Sequence, residues 1–157
     1  MTELTLRPAA AADEEFLRDL RAGPLAAALI AAGVGADHVA AVIDLQHRAR
    51  HAEHTARHPH GVDRVAEISG RPVGRVWTAD EPAGGVLVLD IAVAQDAQRA
   101  GVGRMLLATV CGEADGLGVG VRATVERTNS ASLALFTGSG FAVVGQDDLH
   151  VALERSA

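Results

Sequence analysis

The stretch that decides the reading is Val86-Leu87-Val88-Leu89-Asp90-Ile91-Ala92-Val93-Ala94-Gln95-Asp96-Ala97-Gln98-Arg99-Ala100-Gly101-Val102-Gly103-Arg104. Val86 to Val93 is a nearly continuous run of leucine and β-branched residues, the pattern of a strand buried on both faces. It feeds a loop holding Gly101 and Gly103. That loop opens a segment with helical spacing through Leu106, Leu107 and Val110. Two glycines let successive backbone N–H groups turn toward one point, and the helix adds the positive end of its dipole. Arg99 and Arg104 bring full charges to the same place. The loop suits a pyrophosphate or similar anion; the bland alternative is a plain strand-to-helix turn.

Two familiar phosphate patterns do not fit. A P-loop needs a lysine before its Ser or Thr, and the chain has no lysine. A dinucleotide fingerprint needs a third glycine where Leu106 stands, and a place on a first βαβ unit that this mid-chain loop lacks.

Upstream, Glu3 to Arg7 alternates as a first strand ended by Pro8. Asp13 is placed to cap a helix carrying Phe16, Leu17 and Leu20, which Gly23-Pro24 breaks. A short apolar stretch covers Leu25 to Ala32, and a polar helix runs from about Asp37 to His58. Val62 to Ile68 and Pro72 to Trp77 read as strands around the turn Ser69-Gly70-Arg71. Downstream of the glycine loop come a helix over Arg104 to Asp115 and a strand over Val119 to Val125. A helix over Asn129 to Thr137 and strands over Phe141 to Gly145 and His150 to Leu153 complete the order.

Composition narrows the classes. At 157 residues, with 48% hydrophobic and 22% charged residues, the chain reads as a single ordinary globular domain over 1–157. No apolar run approaches the ~20 residues of a membrane helix, and no signal peptide pattern opens the chain. The lone Cys111 forms no internal disulfide, so a cytoplasmic protein is expected. Fourteen basic residues against 20 acidic ones give −6, which argues against nucleic acid as partner and weakly permits a cationic substrate. Tyrosine is absent, which removes one kind of general acid.

Gln98-x-x-Gly101-x-Gly103 after an Asp90-Ile91-Ala92-Val93 strand resembles the acetyl-CoA signature of the GNAT superfamily of N-acetyltransferases. Val121-Arg122-Ala123-Thr124-Val125-Glu126-Arg127-Thr128-Asn129, followed by Ala134-Leu135-Phe136-Thr137-Gly138-Ser139-Gly140-Phe141, resembles its second signature. Leu6-Arg7-Pro8-Ala9 before an acidic helix start is also typical. The resemblance covers essentially the whole chain. It implies an α/β fold, a single strongly twisted, mixed and mostly antiparallel sheet of about six or seven strands with helices on both faces. It implies acetyl-CoA as co-substrate, wedged between the strand ending near Val93 and the strand ending near Val125.

Carried over by residue, the backbone of Ile91, Ala92 and Val93 pairs with the pantetheine arm as an added strand would. Gln98, Arg99, Ala100, Gly101, Val102, Gly103 and Arg104 wrap the pyrophosphate, with Gly103 where the phosphates approach. Asn129 contacts the coenzyme near its pantetheine portion. Phe136 stands where relatives place a tyrosine whose hydroxyl protonates the leaving thiolate. With no hydroxyl at Phe136, the proton comes from water, Ser132 or Ser139. A general acid is typically worth roughly 10²–10⁴-fold, so its loss slows turnover without abolishing it.

An amine attacks only when neutral, so a base is needed. Glu126 ranks first among side chains, with partnership to Arg127 as its structural alternative, and Asp90 and His150 are further candidates; a water chain with no dedicated base is equally compatible. His47, His51, His54 and His58, spaced four, three and four, lie along one helix face, with Asp44 three residues ahead. One face rarely closes a tetrahedral shell alone, so no metal is expected; the stripe packs or contacts the acceptor. Gln46 and Arg50 flank it and are placed to read an acceptor group, and an Arg50 in the cleft favours a carboxylate. Cys111, within the helix after the loop, is expected to be structural.

The expected function is acetyl transfer from acetyl-CoA to a primary amine of a small molecule or peptide by direct attack, with a homodimer left open. A non-catalytic acyl-CoA sensor is the alternative, and a nucleotide-binding domain a third reading.

Overall fold

The computed structural model describes residues 3–98 and 100–157. Seven strands form one sheet: β1 (Leu4–Pro8), β2 (Val62–Ile68), β3 (Arg71–Asp80), β4 (Val86–Val93), β5 (Val121–Glu126), β6 (Ala142–Gln146) and β7 (His150–Arg155). Their order is β1-β2-β3-β4-β5-β7-β6. Only β4 and β5 run parallel; the other neighbours are antiparallel. The helices are α1 (Glu14–Asp19), α2 (Ala22–Ala31), α3 (Ala36–Arg57), α4 (Val102–Leu117) and α5 (Ser130–Gly138). The mixed, mostly antiparallel sheet with flanking helices is the architecture expected. Among the described residues, no helix is long and apolar enough to cross a membrane.

The core forms where α4 covers the middle of the sheet. Val102, Leu106, Leu107, Val110, Cys111 and Ala114 recur at helical spacing and are all buried. They pack on Ala66, Val76 and Val88, and on Val121, Ala123 and Leu153 across the sheet. Each fully buried leucine or valine contributes about 1.5–3 kcal/mol. Burial raises the Cys111 thiol above its ordinary value, which makes it a poor nucleophile.

Two local expectations need correction. Asp13 does not cap α1; its carboxylate accepts two 2.7 Å bonds from Arg7 and one of 2.8 Å from the Ala10 N–H. A buried carboxylate gains more from a guanidinium than from the helix start, and this ties β1 to the first turn. Gly23-Pro24 does not separate two helices. Both lie in the first turn of α2, where a missing N–H leaves no bond unmade.

Two bulges bend the central strands. Trp77 pairs with Asp90 and Thr78 with Val88, so Leu89 is the extra residue on β4. Ala66 pairs with Gly74 and Glu67 with Pro72, leaving Val73 extra on β3. A bulge strengthens local twist and re-aims side chains.

Candidate functional site

β4 and β5 pair only through Val86–Val121, Leu87–Arg122 and Val88–Ala123. Beyond Val88 they part, each still hydrogen-bonded to its outer neighbour. The edge of β4 facing the gap is in use: Arg21 donates to the Ile91 carbonyl at 3.2 Å and Gln98 Nε2 to the Val93 carbonyl at 3.3 Å. On an extended strand a residue's N–H and C=O point the same way, so the Ile91 and Val93 N–H groups also face the gap.

Two cavities meet there. One, of about 890 Å³, runs from the glycine loop past the end of β4 to α1, α2 and α5. The other, of about 710 Å³, lies between α3 and the parting strands, reaching Glu126, Phe136 and His150. Arg21, Gln46, Arg50, Ile91, Asn129 and Ser132 line both, marking the junction.

The glycine loop borders the first cavity. Gly101, at φ 75°, is the residue before α4; this left-handed conformation favours glycine. The first bond of α4 runs from Met105 N–H to Gly101 C=O, which leaves the N–H groups of Val102, Gly103 and Arg104 without intrahelical partners. Gln98, Gly101, Gly103 and Arg104 line the cavity. Ala100 and Val102 do not: Ala100 is exposed, and the Val102 side chain is 1% exposed within the core, so only its backbone is available. Arg99 lies outside the described residues. A Cβ at Gly103 would sit 3.4 Å from the Leu135 methyls and 3.6 Å from Val93, ordinary contact distances where α4, α5 and β4 meet.

Asn129 caps α5, its side-chain oxygen accepting from Ser132 N–H at 3.1 Å; its amide NH₂ is what remains to offer a ligand. The Phe136 ring is 2% exposed and packs edge-on against Phe141 with centroids 5.0 Å apart. It forms part of the wall of the second cavity. Ser132 stands at the junction, whereas Ser139 ends the far side of α5 and lines neither cavity.

Of the base candidates, Glu126 is exposed on the cavity wall, opposite His150 in register. Glu126 has no ion-pair partner among the described residues; Arg127 instead donates to the Asp147 carbonyl at 3.2 Å. Asp90 does face the second cavity, re-aimed at the Leu89 bulge. Its side chain is 1% exposed and belongs to a charge chain that sequence reading missed. Asp63 holds Arg75 through bonds of 2.9 and 2.8 Å. Arg75 Nη1 lies 3.8 Å from Asp90 Oδ2, Arg50 Nη1 lies 3.8 Å from Asp90 Oδ1, and Arg21 pairs with that same Oδ1. Burial works against the Arg75 charge, but hydrogen bonds and attraction from Asp63, with Asp90 beyond, more than offset it, so its pKa is raised.

The histidine stripe packs. His47 sits 2.6 Å from Glu14, and His51 packs tilted and His54 edge-on against Trp77, with centroids 5.2 and 5.0 Å away. Burial pushes the His54 imidazole below its ordinary value, so it is neutral at pH 7. No metal-binding cluster forms among the described residues.

No curated protein matches the chain. Solved structures share the fold at low identity. PaiA N-acetyltransferase from Thermoplasma acidophilum, in complex with coenzyme A, is 15% identical with a TM-score of 0.71, over 99% of both chains. IAA acetyltransferase from Bacillus cereus ATCC 14579 is 16% identical with a TM-score of 0.63, over 99% of this chain and 100% of the other. The ribosomal-protein-S18-alanine N-acetyltransferase of Escherichia coli is 17% identical with a TM-score of 0.62, over 98% of this chain and 94% of the other. The model of the Acetyltransferase (GNAT) family matches residues 29–141, a span that holds both the parting strands and the glycine loop, and the chain therefore belongs to the GNAT acetyltransferase family.

Proposed function

We propose that the chain, acting as one domain over residues 1–157, moves an acetyl group from acetyl-CoA to a primary amine by direct attack. The observation that carries this reading is the edge of β4 that no strand covers beyond Val88, beside N–H groups at the start of α4 that have no partner within the helix. Pantetheine lies along Ile91–Val93 as an added strand, and the pyrophosphate meets the backbone of Gly101 to Arg104 with the Arg104 charge beside it. A cytoplasmic setting fits this coenzyme.

The amine nitrogen attacks the thioester carbon at the junction of the cavities. Backbone N–H groups on β4 stabilise the oxyanion, the C–S bond breaks, and the thiolate leaves. Glu126, through water, takes the amine proton. Ser132 or water protonates the thiolate, since Phe136 has no hydroxyl. Cys111 is buried in α4 and forms no acyl-enzyme.

Phe136 is also the observation that favours a second reading, a sensor that binds acyl-CoA without turnover. Coenzyme at millimolar concentration is expected to raise the melting temperature, and free thiol is expected to appear with a reactive amine. No thermal shift would sink the family-based reading of the site; a shift without thiol release from any amine would favour the sensor.

A further inference from the structure

Resting on the N-acetyltransferase reading above, we infer that the acceptor is a small amine that also carries a carboxylate, of amino-acid type, and that Arg50 with Gln46 sets this specificity. The argument is one of charge and place. Arg21, Arg50 and Arg75 converge around Asp90, with Asp63 on Arg75 and Glu14 adding a longer-range attraction to Arg75. Asp63 is committed to Arg75 through both its oxygens. Asp90 Oδ1 serves Arg21, leaving Arg50 3.8 Å away, beyond hydrogen-bond distance. Arg50 therefore has no carboxylate within hydrogen-bond distance among the described residues, and its side chain is 45% exposed toward solvent and cavity.

A planar guanidinium takes a carboxylate through two parallel bonds. Gln46, one turn earlier on α3, offers an amide beside it. Both line the junction of the two cavities, where the thioester carbon is attacked. The carboxylate that Arg50 holds must therefore lie within a few bonds of the amine. That describes an α- or β-amino acid better than a short diamine, whose second charge would lie beside Arg21 and Arg50.

The test pairs free amino acids with their carboxamides and their decarboxylated amines, reading thiol release from acetyl-CoA. Acids are expected to exceed their matched partners in kcat/KM by at least about tenfold, the usual worth of a charge-assisted contact. Arg50→Gln is expected to collapse that ratio, mainly through KM, and Arg50→Lys to restore part of it. A preference for the decarboxylated amines, or an equal loss on acids and amides in Arg50→Gln, would overturn the inference. Where coenzyme shifts the melting temperature but no amine reacts, calorimetric titration of the coenzyme complex with the same amino acids decides: Arg50-dependent binding supports it, no binding overturns it. Failure of coenzyme to bind would instead strike the N-acetyltransferase reading itself.

Discussion

Asp90 Oδ2 and Arg75 Nη1 lie 3.8 Å apart, with side chains 1% and 4% exposed, close enough to attract and too far to hydrogen-bond. Removing one partner of a buried charge set leaves the others uncompensated. Asp90→Asn is expected to cost about 3–5 kcal/mol of stability in urea unfolding, because Arg21, Arg50 and Arg75 then face one another. Glu126→Gln, on the exposed wall, is expected to stay within about 0.5 kcal/mol. Equal stability of the two variants would show that the charge chain holds nothing together.

Activity should separate the same two residues in the opposite sense. Glu126→Gln is expected to lower kcat/KM about 10²-fold below the pKa of the amine, with coenzyme affinity intact, and to recover at high pH where the amine is already neutral. A flat response would hand the proton to water.

Phe136→Tyr keeps the ring and adds one hydroxyl at the cavity wall. The expected change in kcat is less than about tenfold, because a thiolate with a pKa near 8.5 leaves with little help. Phe136→Ala is expected to destabilise by about 3–5 kcal/mol through loss of the Phe141 contact and the cavity it leaves. A large fall in rate in Phe136→Tyr, with coenzyme bound normally, would mean that the bare ring is needed against the acceptor.

Gly101→Ala meets open space but a φ of 75°. The left-handed backbone is expected to cost about 1–2 kcal/mol. Weaker coenzyme binding is expected to follow, since this residue sets the direction of the free N–H groups of α4. Unchanged affinity in the folded variant would place the anion elsewhere.

Two acidic windows are expected in stability. His54 has a folded pKa below its ordinary 6.5. Its contribution is full above pH 6.5 and is lost as the pH falls below that value, when the unfolded chain binds a proton that the fold refuses. Arg7 holds the Asp13 carboxyl down to about 2, from 3.8; that contribution is present above pH 3.8 and disappears as the pH falls through 2. His54→Phe should flatten the first window and Asp13→Asn the second, read as melting temperature against pH.

The elements around the site were readable because each carries its own periodicity. The continuous run of Val86–Val93 marked a central strand, and the spacing of Leu106, Leu107 and Val110 marked the helix that covers it. What was hidden depends on pairing. Leu89 becomes a bulge only because Trp77 meets Asp90 across the sheet, and that register has no local signal. Asp63, Arg75 and Asp90 look like scattered surface charges until adjacent strands align them, and Arg21 reaches Asp90 from 69 positions away in the chain.

The edge of β4 is already hydrogen-bonded by the chain itself, through Arg21 at Ile91 and Gln98 at Val93. On the proposed reading, a pantetheine amide N–H arriving there competes with these contacts for the same carbonyls, so this part of recognition is largely an exchange of bonds. Affinity then comes from the phosphate end and from desolvation of the apolar arm. Arg21 also pairs with Asp90 and lines both cavities. Coenzyme in one cavity is thus expected to reposition a residue that lines the other, and the expected kinetic counterpart is an order in which coenzyme binds before amine, read from product-inhibition patterns.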